Sequence, residues 1–523
     1  MIEPPYPTTD VGPLMKGMVI GGVGIVHVFL AQFAIGGGLL LAYLEWRRQR
    51  RPEERYLGRF IHSYFQTLVL VSFVLGAVTG VAMWLTTILV GARTIGLMVD
   101  EFHWLWATEW VCFCVEVAAG YTFVRYGKRL SDRARLGTLA TYAVASWLSL
   151  FWINGILSWQ LTPGDWVRDH DLWSGFFNPS FLPSLLYRTV VAMTLAALVA
   201  CLVIAALPAE HLIEGGGGGN GGNGGDAAVR ERRRAVVRTV STFLAPMAAM
   251  PLLAAWYLSV IPADSRGWIM GGSVAMTMFV GIAAGASLVI GAYAALLFAQ
   301  RRLPALRRWP FTLGGPSAAI LLVIAFAATA AGEFVREGAR KPYTVRDVLY
   351  SSSLTEPEVA HLRVAGATSH DPWPLRHEAR YPTPQLAHGA RVVRALCDVC
   401  HTMSGANGLE HLVASWSLDQ MRHNIAMLQR TKAFMPPFAG NAADVEAVVQ
   451  LLAWTRDGTP RQWPAPVAIG AADPLSEIQR WLDEAGTAPR VESGTDREPR
   501  HGAPAPALRP APAPAPAALR GAP

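Results

Sequence analysis

Charge is scarce in this chain. Of its 523 residues 16% are charged and 52% hydrophobic, with a mean hydropathy of +0.28. Soluble domains carry about 25% charged residues, so a wholly water-soluble protein is excluded. Cysteine is scarce too, with five residues in all. Cys112, Cys114 and Cys201 lie in apolar runs and read as small hydrophobes, so there is no disulfide framework. Cys397 and Cys400 have no second Cys/His pair beside them, which excludes a four-ligand structural zinc site. Residues 1–14 lack the basic n-region of a cleavable signal, so the first apolar run is expected to remain as an anchor. The net charge of +7 does not point to nucleic acid, because the basic residues sit in loops between apolar runs.

What the chain does have is eight segments long enough to cross a bilayer: 15–45, 63–92, 103–126, 135–160, 181–208, 237–261, 270–299 and 311–334. The expected fold is all-α, a polytopic bundle of about eight transmembrane helices. The loops fix its orientation. Connections 46–62, 125–135, 207–238 and 300–310 hold 20 Lys and Arg residues, while the alternate connections hold only Arg93, Arg168 and Arg266. Basic loops stay on the cytoplasmic side, so the N-terminus and everything after residue 335 are expected to face outward.

The most specific motif is Cys397-Asp398-Val399-Cys400-His401, followed by Met435-Pro436-Pro437-Phe438. Cys-x-x-Cys-His is the attachment signature of c-type haem: the thiols bond the porphyrin vinyl groups and the imidazole takes one axial position of the iron. Met435, in a proline-stiffened turn, is suited to the other axial position. A small helical cytochrome c domain is therefore expected at 385–460. A helix leads into Cys397, a second runs over about 417–429, and an amphipathic helix over Val445–Trp454 closes the domain. Residues 1–340 form the membrane domain and 341–384 a connector. Residues 461–523 read as a disordered Pro/Ala-rich tail, and Gly215–Gly225 as a flexible linker.

Ionisable residues inside a span are costly and mark candidate sites. His27 sits mid-span, with Gly36, Gly37 and Gly38 further along the helix; it suits a haem ligand, or else a carbonyl-bonded histidine. Glu109 and Glu116 are seven residues apart on one face of the third span, as a proton relay or as helix–helix hydrogen bonds. Glu333 and Glu337 close the eighth span, where charges also serve as interfacial anchors.

Taken in order, these pieces resemble subunit I of the cytochrome bd oxidase family across about residues 15–350. They are His27, Gly76-Ala77-Val78-Thr79-Gly80, Glu109 with Glu116, Trp159-Gln160-Leu161-Thr162-Pro163-Gly164, and Glu337-Gly338-Ala339-Arg340-Lys341-Pro342-Tyr343. The resemblance implies a high-spin membrane haem, of b or d type, with His27 as axial ligand. It implies that Glu109 and Glu116 line the haem pair and proton path, that Glu337 approaches the oxygen-binding haem, and that Arg340 bonds propionates. It also implies oxygen as acceptor and a second membrane subunit, either subunit II-like or another subunit I-like chain.

Three departures stand out. The family's low-spin haem histidine, early in the fifth span, is replaced by Tyr187-Arg188-Thr189, although Met276 and Met278 remain in the seventh. The long external quinol loop shrinks to about Pro262–Trp268. A haem c domain stands in place of the ninth span. His62, His103 and His170 read as interfacial residues, with uptake of a haem by one of them as the alternative. The expected function is a terminal oxidase subunit of a bacterial cell membrane, fed through haem c by an external donor protein or complex. The alternative is a non-catalytic, membrane-anchored electron conduit. A haem-based gas sensor ranks last, since nothing reads as an output domain.

Overall fold

The computed structural model describes residues 11–212, 223–308, 313–371, 373–463 and 474–488. Among the described residues, seven helical stretches are long and apolar enough to span a bilayer. The helices are α1 (Lys16–Arg50), α2 (Leu57–Val69), α3 (Ala77–Tyr126), α4 (Asp132–Trp159), α5 (Phe181–Ala206), α6 (Asn223–Val240), α7 (Met250–Val260), α8 (Val274–Arg302) and α9 (Gly315–Arg340). One stretch, Leu57–Tyr126, holds 70 residues and joins α2 to α3 through a π-helical segment, Leu70–Gly76.

That stretch is a hairpin. At 1.5 Å rise per residue, the 50 residues of α3 alone would reach about 75 Å, far beyond the ~30 Å core of a bilayer. Non-helical torsions at Gly91 and Phe102 break it, and the two arms return along each other. Phe65 packs on Phe123 at 4.8 Å, and Trp84 on Trp106 at 5.1 Å. The arms supply the second and third spans, so the eight spans are present in seven helical stretches. The sixth span is also interrupted: between α6 and α7 the chain tightens into a 3-10 segment, Ser241–Ala249, around Pro246, which cannot donate to the helix ladder.

The two ends of the bundle differ. At one, the basic loops are tied by ion pairs: Arg48 to Asp132 at 2.5 Å, and Arg48 and Arg135 to the fully buried Glu45 at 2.7 and 3.2 Å. At the other end the chain leaves α9 into a two-stranded antiparallel ribbon, β1 (Tyr343–Val345) and β2 (Leu349–Tyr350), and then α10 (Glu356–Ala365). The C-terminal domain follows as α11 (Pro384–Leu396), α12 (Leu418–Ala426), α13 (Ala442–Arg456) and α14 (Pro474–Ala485). Val392, Met421, Val445, Val449, Ile478 and Leu482 form part of its core.

Helix α14 corrects the expected tail. It falls within 461–523, yet Ile478 and Leu482, four residues apart, are fully buried in the domain core. The polar and Pro/Ala-rich flanks hid this short apolar face. The rest of that tail, residues 464–473 and 489–523, and positions 215–222 of the Gly/Asn run lie outside the described residues.

Candidate functional site

In the C-terminal domain the haem motif is set by the end of α11. Cys397 is the C-cap, and its carbonyl accepts from the backbone N–H of both Cys400 (3.1 Å) and His401 (3.0 Å). The tight turn holds both sulfurs and the imidazole within five residues. His401 is buried, and its Nδ1 lies 3.0 Å from the Asn407 carbonyl, which accepts only, so Nδ1 carries the proton and Nε2 is left for iron. Burial pushes the imidazole below its ordinary pKa; the Asn407 carbonyl opposes the shift and Lys341 reinforces it. A neutral, Nε2-available imidazole is the form that binds iron, so these residues fit haem. Met435 is half-buried in its turn, its N–H bonded to the Lys432 carbonyl at 2.8 Å.

The membrane residues are dispersed. His27 faces the second span: its Nδ1 lies 3.1 Å from Thr79 Oγ1. The Thr79 hydroxyl has carbonyl acceptors at Leu75 (2.8 Å) and Gly76 (3.1 Å), and with its one proton given to either, His27 Nδ1 is the donor of this pair. A Cβ at Gly80 would lie 3.2 Å from the imidazole, whereas one at Gly21, Gly22, Gly24 or Gly76 would meet nothing within 4 Å. Open space beside an Nε2-available histidine fits a flat macrocycle.

Glu109 and Glu116 turn instead to α4. Glu109 accepts from Ser149 Oγ at 2.5 Å, and Glu116, only 6% exposed, lies against Tyr142 and Ser146. At the far end of α9, buried Arg340 donates to Gln160 of the fourth span and to Glu337, whose side chain is 47% exposed. Arg340 Nε is buried without a partner among the described residues, which fits an approaching carboxylate such as a haem propionate. The contacts of His27, of the two glutamates and of Arg340 are thus separate from one another.

The expected gap in the fifth span is filled by charge. Arg188 reaches Glu333 of α9 at 3.8 Å, and Arg336 binds the same carboxylate at 2.7 Å. Met276 Sδ lies where a Cβ on Gly338 would approach to 2.2 Å, so its thioether is packed on α9. Of the other histidines, His103 Nδ1 sits 3.2 Å from the Asp100 carbonyl and His170 edges onto Trp166 at 4.9 Å.

Several residues that sequence reasoning passed over join the two halves. Lys16 pairs with Asp398 at 2.7 Å, Lys341 Nζ lies 3.7 Å from Cys400 Sγ, and Trp268 stacks on Phe434 at 4.5 Å. Their only sequence signal is position: Lys16 heads the first span, Asp398 fills a variable place of the haem motif, and Phe434 precedes Met435.

Residues 20–257 match the family model of cytochrome bd terminal oxidase subunit I, and residues 384–454 match that of subunit III of cbb3-type cytochrome c oxidase. The chain thus carries a region matching bd oxidase subunit I, followed by a region matching a cytochrome c subunit. The bd match takes in His27, Glu109 and Glu116 and ends before Glu337 and Arg340. The bd oxidase from Geobacillus thermodenitrificans shares the fold at a TM-score of 0.50 and 16% identity, over 63% of this chain and 88% of that one. No curated protein matches. The bd-like domain and its c domain together make a haem-containing, multi-pass, oxidase-like electron-transfer protein.

Proposed function

We propose that this chain is the core subunit of a terminal oxidase that takes electrons from an external donor protein through its c domain, in place of quinol, and passes them to oxygen in the membrane. The observation that carries this reading is the seat of the haem-binding loop: Val399 and Asp398 rest on Gly17 and Lys16, at the head of the helix that bears His27. Haem held at Cys397 and Cys400 would supply a one-electron carrier, and haem at His27 an iron able to react with oxygen.

The residues divide the work. His401 and Met435 would hold the haem iron in the c domain, which would leave that site to relay electrons. Glu109, bonded to Ser149, and Glu116, lying against Tyr142 and Ser146 of α4, carry protons towards the membrane site. Arg340, oriented by its bonds to Gln160 and Glu337, would hold propionate charge at the outer end. The short loop where the family's quinol segment would lie is covered by the c domain, as Phe434 stacks on Trp268 there. The c domain faces outward, since the basic loops lie at the opposite end, and a second membrane subunit, subunit II-like or subunit I-like, completes the assembly.

The test is a carbon monoxide difference spectrum of the dithionite-reduced protein with its partner. A b- or d-type response is expected, because carbon monoxide needs an open iron position. A spectrum showing only haem c, unmoved by the gas, would favour the electron conduit, a reading that Arg188 in its ion pair with Glu333 keeps in play.

A further inference from the structure

The head of α1 and the haem motif are 382 residues apart in sequence and bonded in space. Lys16 Nζ donates to Asp398 Oδ2 at 2.7 Å, and the lysine side chain is only 4% exposed. Backbone bonds flank the pair: Gly17 N–H to the Val399 carbonyl at 3.3 Å, and Ala406 N–H to the Pro13 carbonyl at 2.9 Å. The Asn407 amide reaches Met15 Sδ at 3.9 Å. Gly405 permits this approach, since a Cβ there would lie 2.3 Å from the Pro13 oxygen. An exposed ion pair between mobile side chains contributes little. Here one partner is buried and backbone on both chains fixes the register, so the pair belongs to a built joint.

We propose that Lys16 is a positioning residue that latches the haem-binding loop onto α1 and, by neutralising Asp398, raises the reduction potential of the haem attached there. The inference rests on residues 397–401 as a haem c site, and not on oxygen chemistry in the membrane. Asp398 lies between the two attachment cysteines, so its charge acts at short range on the iron. A bare carboxylate there favours the oxidised, more positive state; Lys16 cancels it. Lys341, 3.7 Å from Cys400 Sγ, adds a second cation on the same edge, itself 3.6 Å from Glu337. His27 lies eleven residues beyond Lys16, about 17 Å along one helix. A single element therefore carries both the seat of the c domain and the membrane histidine. Because residues 13–17 cover the loop, an external donor must meet the c domain on another face.

The measurement is the haem c midpoint potential of the full chain by spectroelectrochemistry. Lys16→Met should shift it down, Asp398→Asn should shift it up, and the double variant should return it close to the starting value. Lys16→Arg keeps the charge and should leave it unchanged. Docking is read separately with Met15→Cys/Asn407→Cys, which should cross-link under mild oxidation and do so less when Lys16→Met is added. Midpoints unmoved by both single variants, or moved in the same direction, would overturn the proposal, as would cross-linking indifferent to Lys16. A protein without a carbon monoxide response would defeat the oxidase reading and leave these results standing.

Discussion

The c domain and the bd-like domain assemble their chemistry in opposite ways. In the c domain, two thiols and an imidazole come from five consecutive residues at the end of α11, and one turn holds them. In the membrane domain each candidate group sits on its own helix with its own partners: His27 with Thr79, Glu109 with Ser149, Arg340 with Gln160. Three of the proposed ligating groups in the local site depend on a single turn. A dispersed site depends on helix packing, so second and fourth spans matter to it as much as the ligand-bearing residues.

The largest expected effect breaks the local site. Cys397→Ser or Cys400→Ser should abolish covalent haem, read as loss of the haem stain on a denaturing gel, while the membrane helices still fold. Next, His27→Ala should leave that stain intact and remove the carbon monoxide response; loss of both together would mean that the two sites are not separable. Glu116→Gln should slow oxygen consumption by roughly 10²-fold, the scale of a lost proton-transfer group, with both haem spectra retained.

A smaller effect sharpens how the two regions are held together. Arg93, at the bend between the second and third spans, forms paired 2.9 Å bonds to Glu358 of α10. Burial pushes the Glu358 carboxyl up, but bonds from Arg93 and the Thr355 N–H outweigh it and hold it below its ordinary pKa. A depressed carboxylate adds stability at neutral pH that is lost as pH falls through its folded pKa. Hydrogen exchange over 353–365 should therefore rise on acidification, and Arg93→Gln should flatten that dependence. The smallest change is Trp268→Ala. It removes one aromatic stack, about 0.5–1.5 kcal/mol, and should raise exchange in 432–437 only modestly.

The helical architecture was legible because long apolar runs leave few alternatives in a bilayer, and the Cys-x-x-Cys-His motif is legible because its ligands are neighbours in the chain. The hairpin in α3 was legible as two spans although no turn residue cluster marks it; only Gly91 and Phe102 leave helical torsions. Helix α14 was not, since a short apolar face of Ile478, Leu482 and Ala485 is lost among polar and proline-rich neighbours. The Lys16–Asp398 and Trp268–Phe434 contacts carry no local pattern at all, because they join residues far apart in the chain. Arg188 was visible as a missing histidine, but its pairing with Glu333, which Arg336 shares, required the packing of α5 against α9.

Helix α14 does more than fill the core. The side chains of Gln429 and Arg430 cap its last carbonyls, Arg363 of α10 donates to the Leu482 carbonyl, and Tyr350 OH reaches the Thr487 carbonyl at 3.0 Å. It thus bolts the connector to the domain it serves. A chain ending at residue 463 would keep every proposed haem c ligand and yet hang that domain on a looser leash, exchanging a fixed neighbour for an effective concentration. Proteolytic trimming at this end would act as a throttle on delivery while leaving the cofactor chemistry untouched.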